Sequence, residues 1–129
     1  MSAGLQAAII AALTGHARLA DVVSGIFDGP PARAAFPYVG IGGGAAIDWS
    51  HKTGRGREHR IVLSVWDDGA SAARVHTLMA EAETAIEAMP AEIDGGRIVS
   101  LAFVRSRVVR DGDGPWAGIV EYRARVTRD

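Results

Sequence analysis

The sequence of 129 residues contains no cysteine. This absence excludes disulfide bonds, iron–sulfur clusters, thiol nucleophiles and zinc–thiolate sites, so the fold needs no oxidising compartment. Long apolar runs are lacking as well. The N-terminal segment MSAGLQAAIIAAL is apolar but short and has no basic residue, which predicts a helix rather than a signal peptide or a membrane span. We therefore expect a soluble protein that stays in the cytoplasm until it is assembled, with no membrane partner.

The chain also has little net charge. Its 14 Lys and Arg residues stand against 15 Asp and Glu, a formal net charge of −1. This balance argues against a protein that coats nucleic acid through its overall field, so any anion binding must come from a local patch. Lys52 is the only lysine. A GC-rich coding sequence explains this preference for arginine over lysine most simply. The alternative is that the arginines are used in interfaces, because Arg suits partly buried ion pairs better than Lys.

No set of residues in the sequence resembles a catalytic or cofactor site. The four histidines form no His-x-x-x-His pattern, and the glycine-rich segment 40–44 lacks the Gly-Lys-Ser/Thr ending of a phosphate-binding loop. Ser24 and Ser64 lack the Gly-x-Ser-x-Gly pattern of a nucleophile elbow. Asp67 and Asp68 stand where the next helix needs its N-terminal cap. We predict that the protein is not an enzyme and binds neither a cofactor nor a metal.

The length and a hydrophobic content of 48% suit one domain over residues 1–129. Apolar spacing predicts helices over about residues 2–17 and 70–88. A short strand is expected within residues 22–27 and longer ones at 38–41, 60–66, 97–109 and 116–127, the last two as an antiparallel hairpin. The expected class is α+β, with an antiparallel sheet of four to five strands and two helices packed on one face.

The alternation within the predicted strands assigns their faces. Ile61 and Leu63 should face the core, and Trp66 is expected to be a large core side chain. In the strand over residues 97–109, Val99, Leu101 and Phe103 should share one face.

A polar arm over residues 48–59 carries the densest basic cluster of the chain. Two glycines, Gly54 and Gly56, alternate with its arginines and would make the arm mobile. An ordinary solvated hairpin is one interpretation. Contact with a partner subunit or with nucleic acid is the other, and its candidate residues are His51, Lys52, Arg55, Arg57 and His59.

A second basic set lies on the predicted C-terminal hairpin. Odd-numbered arginines on two adjacent strands line one face of a sheet, here with Glu121 among them. An ordinary solvated face is one interpretation, and a subunit interface or the wall of a lumen is the other. The set comprises Arg105, Arg107, Arg110, Arg123, Arg125 and Arg128.

These segments, taken in order, resemble a known family. The sequence is similar to the small tail terminator or tail-completion proteins of long-tailed phages and of phage-like gene transfer agents, and the resemblance spans nearly the whole chain. The segments that carry it are LQAAIIAAL, Gly-Ile-Phe-Asp, Ala-x-Phe-Pro-Tyr-Val-x-Ile-Gly at 34–42, Asp48-Trp49, Lys-Thr-x-x-Gly-Arg-Glu-His at 52–59, Leu-Ser-Val-Trp at 63–66 and GIVEYRARV at 118–126.

The resemblance implies a structural virion protein without catalysis. Its members form a ring, usually of six copies, that caps the head-proximal end of the tail tube, stops tube polymerisation and joins the tail to the head or neck. The implied partners are further copies of the chain, the tail tube protein and a neck, connector or head-completion protein. Low-specificity DNA contact in the lumen is an additional expectation.

The implied location is the host cytoplasm during assembly and then the head–tail junction of a virion or phage-like particle. Two alternatives remain open. One is another neck or head-to-tail adaptor component, and the other is a small nucleic-acid-binding module that uses the basic arm. The interface residues named above are inferred from the residues themselves, because the family supplies no short functional signature to transfer.

Overall fold

The computed structural model describes residues 2–50, 54–110 and 112–129. In this part of the chain three helices and six strands follow one another. They are α1 (Ala3–Thr14), α2 (Ala17–Ala20), β1 (Ile26–Asp28), β2 (Tyr38–Asp48), β3 (Gly56–Asp67), α3 (Ala73–Glu87), β4 (Glu92–Ile93), β5 (Gly96–Arg110) and β6 (Trp116–Arg128). The Leu5 amide donates a hydrogen bond to the Ser2 hydroxyl at 3.2 Å, so Ser2 caps α1.

The strands form one sheet in the order β1-β2-β3-β6-β5-β4. All neighbouring strands are antiparallel except β1 and β2, which are parallel, and the sheet curves into a half-barrel. The prediction of an antiparallel sheet with four to five strands and two helices is therefore corrected to a mixed sheet of six strands with three helices. The additional elements β4 and α2 have only two and four residues, too few to show a period in the sequence.

One hydrophobic core joins the sheet to α1 and α3. The alternation expected in the strands is confirmed over residues 59–67 of β3 and 120–126 of β6, where every second residue is buried. Helix α3 lies against β3 and β6, and α1 lies against α3. The fully buried large side chains are Tyr122, Leu5, Ile9, Leu13, Leu19, Ile41, Ile61, Leu63, Leu78, Ile86, Val39 and Val65. The sheet thus has one face covered by helices and a second face, the helix-free face, that carries the alternate side chains.

A bulge in β5 changes the faces that its alternation predicts. Ile98 pairs with Val126, yet the next aligned pair is Ser100 with Arg125, so Val99 is an extra residue. Leu101 therefore lies opposite the buried Ala124, on the same face as Ile98. The prediction that Val99 and Leu101 share a regular face was wrong, because a one-residue bulge reverses the parity of everything that follows it.

Candidate assembly surfaces

The predicted arm is shorter in the structure than in the sequence. Strand β2 continues to Asp48 and β3 begins at Gly56, so residues 56–59 belong to the sheet and pair with β6. Arg57 is exposed at this end of β3, and Arg55 is exposed just before it. Two of the candidate contact residues, His51 and Lys52, lie outside the described residues.

The base of the arm is held by local hydrogen bonds. The Trp49 amide donates to the Gly56 carbonyl at 2.9 Å, and the Ser50 hydroxyl donates to the Asp48 carboxylate at 2.7 Å. The Arg128 amide donates to the Arg55 carbonyl at 2.9 Å, which joins the end of β6 to the arm. These bonds are between groups close to the sheet, so the described part of the arm is an extension of the β2–β3 hairpin.

His59 lies inside the fold rather than on an exposed arm. It is only 3% exposed, and its Nδ1 has no hydrogen-bond partner among the described residues. It lines a cavity of about 290 Å³ together with Arg57, Asp94 and Arg128. Burial, followed by nearby positive charges that include Arg57, lowers the pKa of His59. His59 is therefore a buried part of β3, and its role in subunit contacts stays a prediction.

The buried imidazole predicts a dependence of stability on pH. The folded state lowers the pKa of His59 below its ordinary value of 6.5, so the unfolded chain binds more protons in the interval beneath that value. The free energy of unfolding should therefore be fully maintained above about pH 6.5 and decrease as the pH falls below it. Urea unfolding at pH 7.5 and pH 5.5 measures this difference.

Two variants identify the histidine responsible. His59→Gln should reduce the difference in the free energy of unfolding between pH 7.5 and pH 5.5. His76→Gln, at an exposed position of α3, should leave that difference unchanged. A pH dependence that is equal in the parent and in His59→Gln would contradict the assignment.

The helix-free face carries an ordered set of ion pairs around two glutamates. Glu58 accepts from Arg125 at 3.0 Å and lies 3.8 Å from Arg123. Glu121 lies 3.2 Å from Arg60 and 3.3 Å from Arg105. Both glutamate side chains are only 16% exposed, so the carboxylates lie beneath the guanidinium groups that surround them.

The arginine set of the sequence divides into separate surfaces. Arg105, Arg107, Arg123 and Arg125 share the helix-free face, as their register with β6 and β3 requires. Arg107 forms no ion pair with any described residue. Arg110 instead lies over the Trp116 ring at 4.5 Å and donates to the Gly114 carbonyl. Arg128 lines the cavity beside His59, so neither Arg110 nor Arg128 belongs to this set.

Sequence patterns missed two members of the helix-free face. Glu58 was assigned to the arm, and Arg60 was not a candidate, yet Glu58 pairs with Arg125 of β6 and Arg60 pairs with Glu121 of the same strand. The alternation of side chains along β3 could have placed both residues on this face, because Glu58 and Arg60 alternate with the buried residues of that strand. We name the surface formed by Glu58, Arg60, Arg105, Arg107, Glu121, Arg123 and Arg125 the arginine face.

The described residues bring together no three His, Asp or Glu side chains that could hold a metal ion. In the same part of the chain no helix combines the length and the apolar character needed to cross a bilayer.

Comparisons with known proteins agree with the fold. A chain in the structure titled "Virion of native gene transfer agent (GTA) particle" is 32% identical, with a TM-score of 0.75 over 96% of this chain and 95% of that one. The structure of the bacteriophage SPP1 gp17 protein is 20% identical, with a TM-score of 0.61 over 97% of this chain and 88% of that one, and it shows a shared fold. None of the curated proteins matches. A model of the tail completion protein gp17 family matches residues 7–127. The chain therefore belongs to the tail completion protein gp17 family.

Proposed function

We propose that the protein forms a ring, of six copies, at the head-proximal end of a phage-type tail tube. The ring ends polymerisation of the tube protein and joins the tail to the head or neck. The observation that carries this proposal is the 32% identity, over 96% of the chain, to a component of a gene transfer agent particle. Family membership over residues 7–127 supports a structural role in tail completion.

The fold suits such an assembly. A ring needs two different patches on each subunit that bind each other on successive copies. Each copy then contributes one modest contact to the tube, and linked contacts act together through multivalency. Polymerisation stops if one side of the ring matches the tube protein and the other side does not.

The arginine face is suited to the wall of the lumen. Five arginines and two glutamates give this sheet face an excess of positive charge, and the ion pairs hold the guanidinium groups in place. Arg107 forms no ion pair with a described residue, so its guanidinium is available to a phosphate. Contacts of this kind bind DNA weakly and without sequence preference. In this arrangement DNA passes the ring beside a surface of low specificity.

Deleting the gene tests the role in the particle. Electron microscopy of the deletion strain should show tails of uncontrolled length that are not joined to heads. Native mass spectrometry of the purified protein, alone or with tube protein, should show the ring. Particles with joined heads and normal tail lengths after deletion would contradict the proposal, and a map that places the subunit elsewhere in the neck would favour an adaptor role.

The exposed arginines at the base of the arm give a sharper test. Arg57→Ala should weaken ring assembly or tube binding and leave the melting temperature unchanged, because the side chain is exposed and forms no described ion pair. Arg18→Ala, at an exposed position of α2, is the matched control and should assemble like the parent. If Arg57→Ala melts at a clearly lower temperature than the parent, Arg57 stabilises the fold, and the prediction that it acts in subunit or tube contacts is wrong.

A further inference from the structure

Strand β5 has an edge without a partner along most of its length. On one side it pairs with β6 throughout, but on the other side β4 covers only Gly96 and Arg97. From residue 98 to residue 110 no described strand lies beside that edge. The Ile98 amide, at its start, donates one hydrogen bond to the Ala91 carbonyl. The backbone N–H and C=O groups on this side are therefore open to pairing with another strand.

The sequence of this edge is unusually apolar. Residues 98–104, IVSLAFV, contain no charge, no proline and no glycine. Among the described residues, four of the seven large hydrophobic side chains that are exposed belong to β5: Val99, Phe103, Val104 and Val109. Free edges in monomeric proteins are usually protected by charges, prolines or short length. An unprotected segment of this composition indicates a strand that is covered by another chain.

A second free edge lies at the opposite side of the sheet. Strand β1 covers β2 only over residues 39–41, and within residues 42–48, GGGAAID, the paired residues have β3 as their one described partner strand. Ile47 is 57% exposed there, and a side chain at Gly43 would meet open space. This stretch has seven residues, the same number as the uncharged stretch of β5, and its small side chains permit close approach of another strand.

The directions of these two edges are compatible. Three antiparallel steps lead from β2 through β3 and β6 to β5, so β2 and β5 run in opposite directions. When a second copy continues the sheet, its β2 therefore lies antiparallel to β5 of the first copy. The two edges differ in sequence, so the contact is heterologous and repeats from copy to copy until the rotation closes a ring.

We propose that residues 42–48 of one copy pair with residues 98–104 of the next copy and form an antiparallel sheet that continues around the ring. This inference rests on the proposed ring. Strand addition supplies main-chain hydrogen bonds along the edge and buries the exposed Val99, Val104 and Ile47 side chains. It also joins the arginine faces of successive copies into one surface.

The absence of cysteine in the chain makes a crosslinking test clean. Three double variants, Ile47→Cys with Val99→Cys, Ala46→Cys with Ser100→Cys and Gly43→Cys with Phe103→Cys, place thiols at positions that oppose each other when residues 42–48 pair with residues 98–104 end to end. Within one chain these strands are three spacings apart, roughly 14 Å, too far for an intramolecular disulfide. After mild oxidation at least one pair should give a ladder of crosslinked species in non-reducing gels that disappears with reductant. Ala46→Cys with Ala7→Cys, an exposed position of α1, is the control and should stay monomeric in the gel.

Charge placed on the edges gives a second measurement. Ile47→Lys and Val99→Lys should each reduce the fraction of ring at least tenfold in native mass spectrometry at equal protein concentration, with the melting temperature of the dissociated subunit unchanged. Val22→Lys replaces a valine of similar exposure, 46% against 42% for Val99, that belongs to neither β2 nor β5, and it should leave the ring intact.

The outcomes separate this inference from the proposed function. If the parent protein forms no ring with or without tube protein, the proposed function fails first. If the ring forms but no cysteine pair crosslinks and both lysine variants retain it, the edge-to-edge contact is wrong and the ring uses another surface. Crosslinking together with loss of the ring in both lysine variants supports the contact.

Discussion

Replacing Tyr122 with alanine is expected to lower the free energy of unfolding by about 3–5 kcal/mol, the usual cost of removing a large aromatic side chain from a core. Tyr122 is 1% exposed and lies on the central strand β6, on the face covered by the helices. Its ring meets Phe103 edge to face at 5.7 Å, and its hydroxyl donates to the Glu87 carboxylate of α3 at 2.9 Å. Urea unfolding at pH 7, followed by circular dichroism, measures the loss.

Two further variants extend this test. One separates the contribution of the Tyr122 aromatic ring from that of its hydroxyl, and the other compares the core with the helix-free face. Tyr122→Phe keeps the packing and removes one hydrogen bond, so its cost should be about 1 kcal/mol. Trp66→Ala should cost less than Tyr122→Ala, although the sequence predicts Trp66 as a core residue. Trp66 lies on the helix-free face, is only partly buried and stacks on Tyr38 at 6.3 Å. Equal losses for Trp66→Ala and Tyr122→Ala would show that the helix-free face is as important to the fold as the helix-covered one.

Replacing Asp67 with alanine is expected to cost about 3 kcal/mol, the upper range for hydrogen bonds to a charged group. The carboxylate is completely buried at the end of β3, where the Arg74 guanidinium donates to it. Removal of the carboxylate leaves the Arg74 guanidinium without its acceptor at the point where β3 turns toward α3. Asp68→Ala, at an exposed neighbouring carboxylate, is the matched control and should change stability little.

The same carboxylate predicts the pH range in which its contribution disappears. The hydrogen bond from Arg74, opposed in part by burial, lowers the pKa of Asp67 below its ordinary value of 3.8. Its stabilisation is therefore present above about pH 3.8 and is lost as the pH falls through the folded-state pKa. The difference in unfolding free energy between the parent and Asp67→Ala should be constant from pH 7 to pH 5 and shrink toward pH 2. A difference that does not change with pH would show that the charge of Asp67 has no part in the stabilisation.

The regular elements were predictable where their periods were long enough. Leu5, Ile9 and Leu13 repeat on one face of α1, and all three are buried as their spacing indicates. Ile61, Leu63 and Val65 alternate in β3 and are fully buried. In both elements the side-chain period of the backbone and the hydrophobic pattern agree, so local sequence was sufficient.

The candidate site was predicted in part. The odd-numbered arginines of β5 and β6 do share one face, although the bulges at Val99 and after Phe103 shift the register of β5. Glu58 and His59 were both assigned to a mobile arm, yet one pairs with Arg125 and the other is buried. Their roles depend on pairing with β6, about 65 residues further along the chain. A local sequence pattern cannot predict which distant residue will lie beside them.

The sequence by itself determined the absence of thiol chemistry, the positions of the two long helices and the main strands, and the resemblance to a tail completion family. These follow from composition, from short-range periodicity and from the order of motifs along the chain. Only the tertiary structure decided which carboxylate neutralises which arginine, that β1 joins the sheet in parallel, and that β2 and β5 keep open edges beyond the short strands β1 and β4. These features arise because strand order and register are set by the packing of distant segments on one core, and that packing is a property of the whole chain.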